Sequence, residues 1–154
     1  MMETGKNLCE VRFLARSENE AFARMAAAAF VMPLNPTVEE IADIKTAVSE
    51  AVTNAILHGY NQDGKGMVTM RCEREGRRLT FVITDEGIGI ENVERAMEPL
   101  YTSKPELERS GMGFSFMEAF MDSLTVESSP GAGCKVTMEK YICPLCDGKT
   151  PETE

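Results

Sequence analysis

The stretch between Pro36 and Gly59 constrains this chain most. Thr37-Val38-Glu39-Glu40 has capping-box spacing: the threonine oxygen accepts from the Glu40 backbone N–H, and the glutamate carboxylate accepts from the Thr37 backbone N–H. Ile41, Ile44, Val48, Ala51, Val52 and Ala55 then recur at helical spacing, forming a broad apolar face that runs toward Gly59. Such a helix has to bury that face against other elements, so it becomes the centre of a layered fold.

The elements around it follow from local signals. Leu8 to Ala15 reads as a first strand, and Ser17-Glu18-Asn19-Glu20 repeats the capping-box spacing ahead of a helix. Phe22, Met25, Ala26, Ala29 and Phe30 form that helix's apolar stripe, ending before Pro33, with its other face open to a partner. The period switches to two over Met67 to Cys72 and Leu79 to Thr84, with Glu75-Gly76-Arg77 as the hairpin turn. From Glu86 to Ser110 the pattern breaks into glycines, charges and prolines, apart from a short helical stretch near Asn92 to Met97. A long irregular segment inside a compact domain is usually functional or disordered. Gly113 to Met121 regains helical spacing, and Leu124 to Glu127 and Cys134 to Lys140 alternate as strands.

These elements predict an α/β fold, a two-layer sandwich of mixed, mostly antiparallel sheet with helices on one face. The length of 154 residues and an apolar share of 43% suit one domain over residues 1–142, followed by a flexible tail at 143–154. A formal net charge of -9 argues against attraction to nucleic acid or an anionic membrane, so any phosphate has to be held by local groups. Met1 to Cys9 has neither a basic start nor an apolar run, and no segment approaches the ~20 apolar residues that span a bilayer. The expected place is the cytoplasm, with the five cysteines reduced.

Three motifs carry chemistry. Glu50 and Asn54 lie four residues apart, so both project from one face of the central helix about a turn apart. A carboxylate there can take a proton, and a carboxamide oxygen can coordinate a hard cation such as Mg²⁺. An isolated Glu-x-x-x-Asn also fits an exposed helix face, but Ala47-Val48 and Ala51-Val52 are too apolar for a solvated stripe. Asp85-Glu86-Gly87-Ile88-Gly89 directly follows a strand. Its carboxylate can accept from an exocyclic amine such as that of adenine, and its glycines let backbone pass close to a ligand; a plain turn is the bland alternative. Arg109-Ser110-Gly111-Met112-Gly113-Phe114 places a cation, a hydroxyl and two glycines before a helix, where backbone donors bind phosphate. Lys104 and Arg109 are the basic residues available for a lid over phosphates.

In this order, on a helix, a strand end and a helix start, the motifs resemble the GHKL nucleotide-binding family, whose fold is of the Bergerat type. The similarity is closest to its anti-sigma serine kinases of sporulating bacteria. It is carried by Ser49-Glu50-Ala51-Val52-Thr53-Asn54-Ala55-Ile56-Leu57-His58-Gly59-Tyr60, Asp85-Glu86-Gly87-Ile88-Gly89-Ile90 and Thr102-Ser103-Lys104-Pro105-Glu106-Leu107-Glu108-Arg109-Ser110-Gly111-Met112-Gly113-Phe114. The resemblance implies an ATP- and Mg²⁺-dependent homodimer that holds a sigma factor inactive and phosphorylates a serine of an anti-anti-sigma protein. It also implies roles for individual residues. Glu50 is the general base, Asn54 the Mg²⁺ ligand and Asp85 the adenine reader, while Gly87 and Gly89 give close backbone approach. Thr102, Lys104, Arg109, Ser110, Gly111, Met112, Gly113 and Phe114 form the lid and phosphate loop. A stress-pathway switch kinase and a nucleotide-gated binding module without transfer are the alternative readings.

Two features fall outside that pattern. At Gly133-Cys134-Lys135 the family usually has hydroxyl residues after the glycine, and a thiol is a poorer hydrogen-bonding group. Cys143-Pro144-Leu145-Cys146 offers only half of a tetrahedral zinc site. The lone histidine, His58, is expected to hydrogen-bond structurally near the helix end rather than to accept phosphate.

Overall fold

The computed structural model describes residues 5–59, 66–87, 113–128, 131 and 133–144. Five strands, β1 (Lys6–Leu14), β2 (Met67–Glu75), β3 (Arg78–Asp85), β4 (Ser123–Ser128) and β5 (Cys134–Tyr141), form one sheet in the order β1-β2-β3-β5-β4. Every pairing among these strands is antiparallel, with no parallel neighbour. The helices α1 (Glu20–Val31), α2 (Val38–Asn54) and α3 (Gly113–Phe120) pack on one face, with α2 between α1 and α3. The expected short helix at 92–97 and the tail from 145 onward lie outside the described residues.

The capping box that starts α2 is formed as expected. The Glu40 N–H donates to Thr37 Oγ1 at 3.0 Å, and the Thr37 N–H donates to Glu40 Oε1 at 2.9 Å. The corresponding spacing at Ser17 does not make one. Ser17–Asn19 forms a 3-10 turn, and Asn19 is already helical (φ -89°, ψ -5°), whereas Thr37 is extended (φ -71°, ψ 166°) as a capping residue has to be. Asn19 Nδ2 donates instead to the Leu14 carbonyl at 2.9 Å, and Glu20 pairs with Arg24 one turn on, at 3.6 Å.

The buried face of α1 also differs from the expected stripe. Ala23, Ala27, Ala28 and Val31 are buried, while Phe22 and Met25 are more than half exposed. Ala23, Ala27 and Val31 recur every four residues, so a row of small side chains lets α1 approach α2 closely. Of the expected stripe, Ala26 and Phe30 are half-buried against the core, while Phe22 and Met25 turn to the flank, where Phe22 meets Phe13 edge-on at 6.5 Å between ring centroids.

On the strands, the buried residues alternate. Val68, Met70 and Cys72 on β2, Leu79, Phe81 and Ile83 on β3, and Val136 and Met138 on β5 face Ile44, Val48, Val52 and Met117 from the helices. Lys140 fixes α3 in place: its Nζ donates to the Phe120 carbonyl at 2.9 Å and lies 3.8 Å from Asp43 of α2. A cation at a helix C-terminus is favourably placed against the helix dipole. The chain's path past β5 is held too. Ile142 is fully buried, and Arg77 donates to the carbonyls of Ile142 (2.8 Å), Leu34 (2.6 Å) and Cys143 (3.2 Å).

Candidate nucleotide site

Asp85 continues the inward alternation of Leu79, Phe81 and Ile83, so a carboxylate stands where the strand pattern would place a core side chain. It is 5% exposed and is the one buried charged side chain among the described residues. Burial pushes its carboxyl up from the ordinary value, and backbone N–H groups of Gly87 and Cys134 oppose that shift; the Gly87 N–H donates to Asp85 Oδ1 at 2.9 Å. A buried carboxylate held by backbone donors, with further lone pairs available, is suited to accept from a ligand.

Gly133 fixes how β5 meets this strand end. Its φ is +78°, and a Cβ there would lie 2.2 Å from the Asp85 carbonyl oxygen, so only a hydrogen fits. Asp85 consequently pairs with Cys134 in the ladder. Ser128 Oγ donates to the Gly133 carbonyl, and its side chain also hydrogen-bonds Cys134. Burial and the neighbouring Asp85 charge push the Cys134 thiol up to about 12, so it is neutral near pH 7. A pocket of about 430 Å³ opens here, lined by Thr84, Asp85, Glu86, Ser128, Gly133 and Cys134, among others.

Glu50 and Asn54 are half-buried on the shoulder of α2, beside the buried Ala47 and Ala51. The helix widens into a π turn at Ala55–Gly59, immediately after Asn54, and that turn packs against β3. Single π turns often mark functional sites, and periodicity gave no sign of this one. Gly113 opens α3, and Phe114 is buried with Met117 and Met121 in the core. The structure thus describes Glu50, Asn54, Asp85, Gly87, Gly113 and Phe114, whereas Gly89, Thr102, Lys104, Arg109, Ser110, Gly111 and Met112 lie outside the described residues. Sequence reasoning missed Ser128 and the steric demand at Gly133; the Gly131-x-Gly133 spacing ahead of β5 was the available signal.

Residues 13–140 match the family described as "Histidine kinase-like ATPase domain". The chain belongs to this family. Among curated relatives of this ATPase family, the anti-sigma F factor of Clostridium acetobutylicum is 61% identical over 142 residues, covering 92% of this chain and 99% of the relative. The anti-sigma F factor of Clostridium beijerinckii is 58% identical over 134 residues, covering 87% and 94%. At this identity and coverage the chain is an anti-sigma F factor homologue with a GHKL-type ATPase domain. A solved structure of the RsbU and RsbW domains of Rv1364c from Mycobacterium tuberculosis aligns with a TM-score of 0.63 and 18% identity. That alignment covers 88% of this chain and 32% of the other, and it supports the ATPase fold alone.

Proposed function

We propose that this chain is an ATP-dependent anti-sigma factor and protein serine kinase. It holds a sporulation sigma factor inactive and transfers a phosphoryl group to a serine of an anti-anti-sigma protein. The observation that carries the nucleotide reading is Asp85, a buried carboxylate at the pocket formed by the Gly133 turn. Its backbone-held oxygens suit the exocyclic amine of adenine, and the Asn54 side chain suits Mg²⁺.

Bound ATP would supply the phosphoryl group and depart as ADP, and its Mg²⁺ would neutralise the charge that develops on the phosphate oxygens. The chain's own residues do the rest. Asp85 would select the base, Asn54 would hold the metal, and Gly111 and Gly113 are proposed to offer backbone N–H groups to the phosphates. Glu50 takes the proton from the substrate serine hydroxyl as its oxygen attacks. We further propose Gly87 and Gly89 as the close-approach residues, and Thr102, Lys104, Arg109, Ser110, Gly111, Met112, Gly113 and Phe114 as the lid and phosphate loop.

The exposed apolar side chains Phe22 and Met25 on α1, with Leu8 and Leu14 on β1, support protein partners and a homodimer. No described helix is long and apolar enough to cross a membrane, and the proposed site of action is the cytoplasm.

Glu50→Gln tests this reading, because it keeps size and polarity while removing the base. ATP should still bind and the sigma factor should still be held. Phosphorylation of the anti-anti-sigma protein, read on gels with labelled ATP, should fall by roughly 10²- to 10⁴-fold. Near-normal transfer would overturn the base assignment, and joint loss of ATP binding and sigma retention would make Glu50 a structural residue.

A further inference from the structure

β1 and β2 run antiparallel with Cys9 directly opposite Cys72. The Ala15 N–H donates to the Gly66 carbonyl and the Gly76 N–H to the Gly5 carbonyl, which fixes the ladder's parity. Odd-numbered residues of β1 therefore occupy the pairs that exchange backbone hydrogen bonds, and Cys9 is one of them. The Cα atoms of such a pair are about 5.5 Å apart, within the span of roughly 4.4–6.8 Å that a disulfide bridges, while the Cβ atoms, also about 5.5 Å apart, have to close by about 1 Å, so the bridge is strained and readily reduced. Directly opposed residues also project their side chains from the same face of the sheet.

The two thiols feel one another. Burial pushes Cys72 up to about 12, and the charge on Cys9 adds to that shift. Both are free, but they differ in access: Cys9 is exposed, whereas Cys72 is 3% exposed. Cys134 has no such partner, since Asp85 and Ser128 stand opposite it.

We propose that Cys9 and Cys72 form a cross-strand dithiol site that small disulfides oxidise, with Cys9 as the attacking thiol and Cys72 as the resolving thiol. The Cys9 thiolate attacks one sulfur of a low-molecular-weight disulfide, forming a mixed disulfide and expelling the first small thiolate. Cys72 then gives up its proton and attacks Cys9 Sγ, closing the Cys9–Cys72 bond and expelling the second. Two protein thiols are oxidised, one small disulfide is reduced to two thiols, and the two protons end on those products. The buried Cys72 makes the second step the slower one, and its rate rises with pH because the thiolate fraction rises.

Oxidised glutathione is the probe. After incubation of excess probe with the reduced full-length chain carrying Cys143→Ser and Cys146→Ser, the background for every variant below, intact mass should show the loss of two hydrogens without a retained adduct, and peptide mapping should link Cys9 to Cys72. Thiol titration should find two fewer free groups. Cys72→Ala should stop at a stable glutathione adduct on Cys9. Cys9→Ser, a change at an exposed position, should show neither product while melting as the wild type does. With Cys9 and Cys72 intact in that background, a stable Cys9 adduct, a Cys9 bridge between two chains, or a bridge from either residue to Cys134 would overturn the proposal.

Discussion

β3 is anchored in opposite ways at its two ends. At its start, Arg77 directs its guanidinium to the carbonyls of Leu34, Ile142 and Cys143, while the Ile142 N–H returns to the Arg77 carbonyl at 2.9 Å. Donors and acceptors there come from the protein, and the fully buried Ile142 seals the corner. At its finish, Asp85 is buried with support from backbone N–H groups and faces a pocket. Burial there works against the charged carboxylate, which is how a binding group differs from a fastening. One end holds the fold closed, and the other is shaped for a ligand to complete.

The sharpest way to break that contrast is at the joint of β3 and β5. Gly133→Ala adds a Cβ 2.2 Å from the Asp85 carbonyl at a positive φ, so both backbone strain and a backbone clash have to be relieved. Stability should drop by about 3 kcal/mol in urea unfolding. Nucleotide binding should fall with it, because the same shift moves Asp85. A variant as stable as the wild type would show that the turn can relax, and that Gly133 does not set the pocket.

The second effect belongs to the closed end. Arg77→Ala leaves three carbonyls without their guanidinium partner, and the loss should be about 2 kcal/mol because the group is partly open to solvent. Calorimetric ATP affinity measured well below the melting midpoint should stay unchanged. Weakened binding would mean that the two ends are coupled, and the contrast would fail.

Legibility in the sequence followed the range of the interactions. The Thr37–Glu40 box, the turn at Gly76 (φ +63°) and the alternation of β2, β3 and β5 are decided within a few residues, and the chain shows them locally. Ser17 had the same spacing as Thr37, yet a 3-10 turn took its place, because the backbone conformation at Asn19 is set by where β1 ends. Apolar size misled the reading of α1: closeness to α2 selected alanines for burial and left Phe22 and Met25 outside. At the site, Asp85 could be read from its position after an alternating strand. Gly133 showed only as a glycine ahead of a strand and Ser128 not at all, because the steric demand and the hydrogen bond arise where β5 pairs with β3 across the sheet.

Asp85→Asn should separate function from stability at the open end. The native carboxyl binds its proton more tightly than the unfolded chain does, because burial raises its pKa above 3.8. Its contribution to stability therefore declines as pH rises from that ordinary value through the raised native one. The asparagine variant lacks this decline, so the unliganded mutant should gain on the wild type across that window when melting is followed against pH. ATP binding should weaken roughly tenfold, with less discrimination against GTP, since the carboxylate accepts from adenine's amine and repels the guanine carbonyl. Stability that tracks the wild type at every pH, together with unaltered nucleotide preference, would return Asp85 to a purely structural role.

The smallest change tests the thiol beside it. Cys134 pairs with Asp85 and hydrogen-bonds Ser128 through a neutral thiol, which is a weak donor where a hydroxyl would be a good one. Cys134→Thr keeps a small side chain and adds a β-branch that suits a strand. Its hydroxyl can donate to the carboxylate or to a ligand in the pocket. ATP affinity measured by calorimetry should improve about threefold, corresponding to less than 1 kcal/mol. Because a hydroxyl donor favours the ionised carboxylate, the Asp85 titration should also move toward its ordinary value, which NMR of the carboxyl carbon can read. A threonine variant that binds ATP no better and leaves that titration unmoved would show that Ser128 already supplies the polar group the pocket needs, and the thiol would then be a filler at the open end of β3.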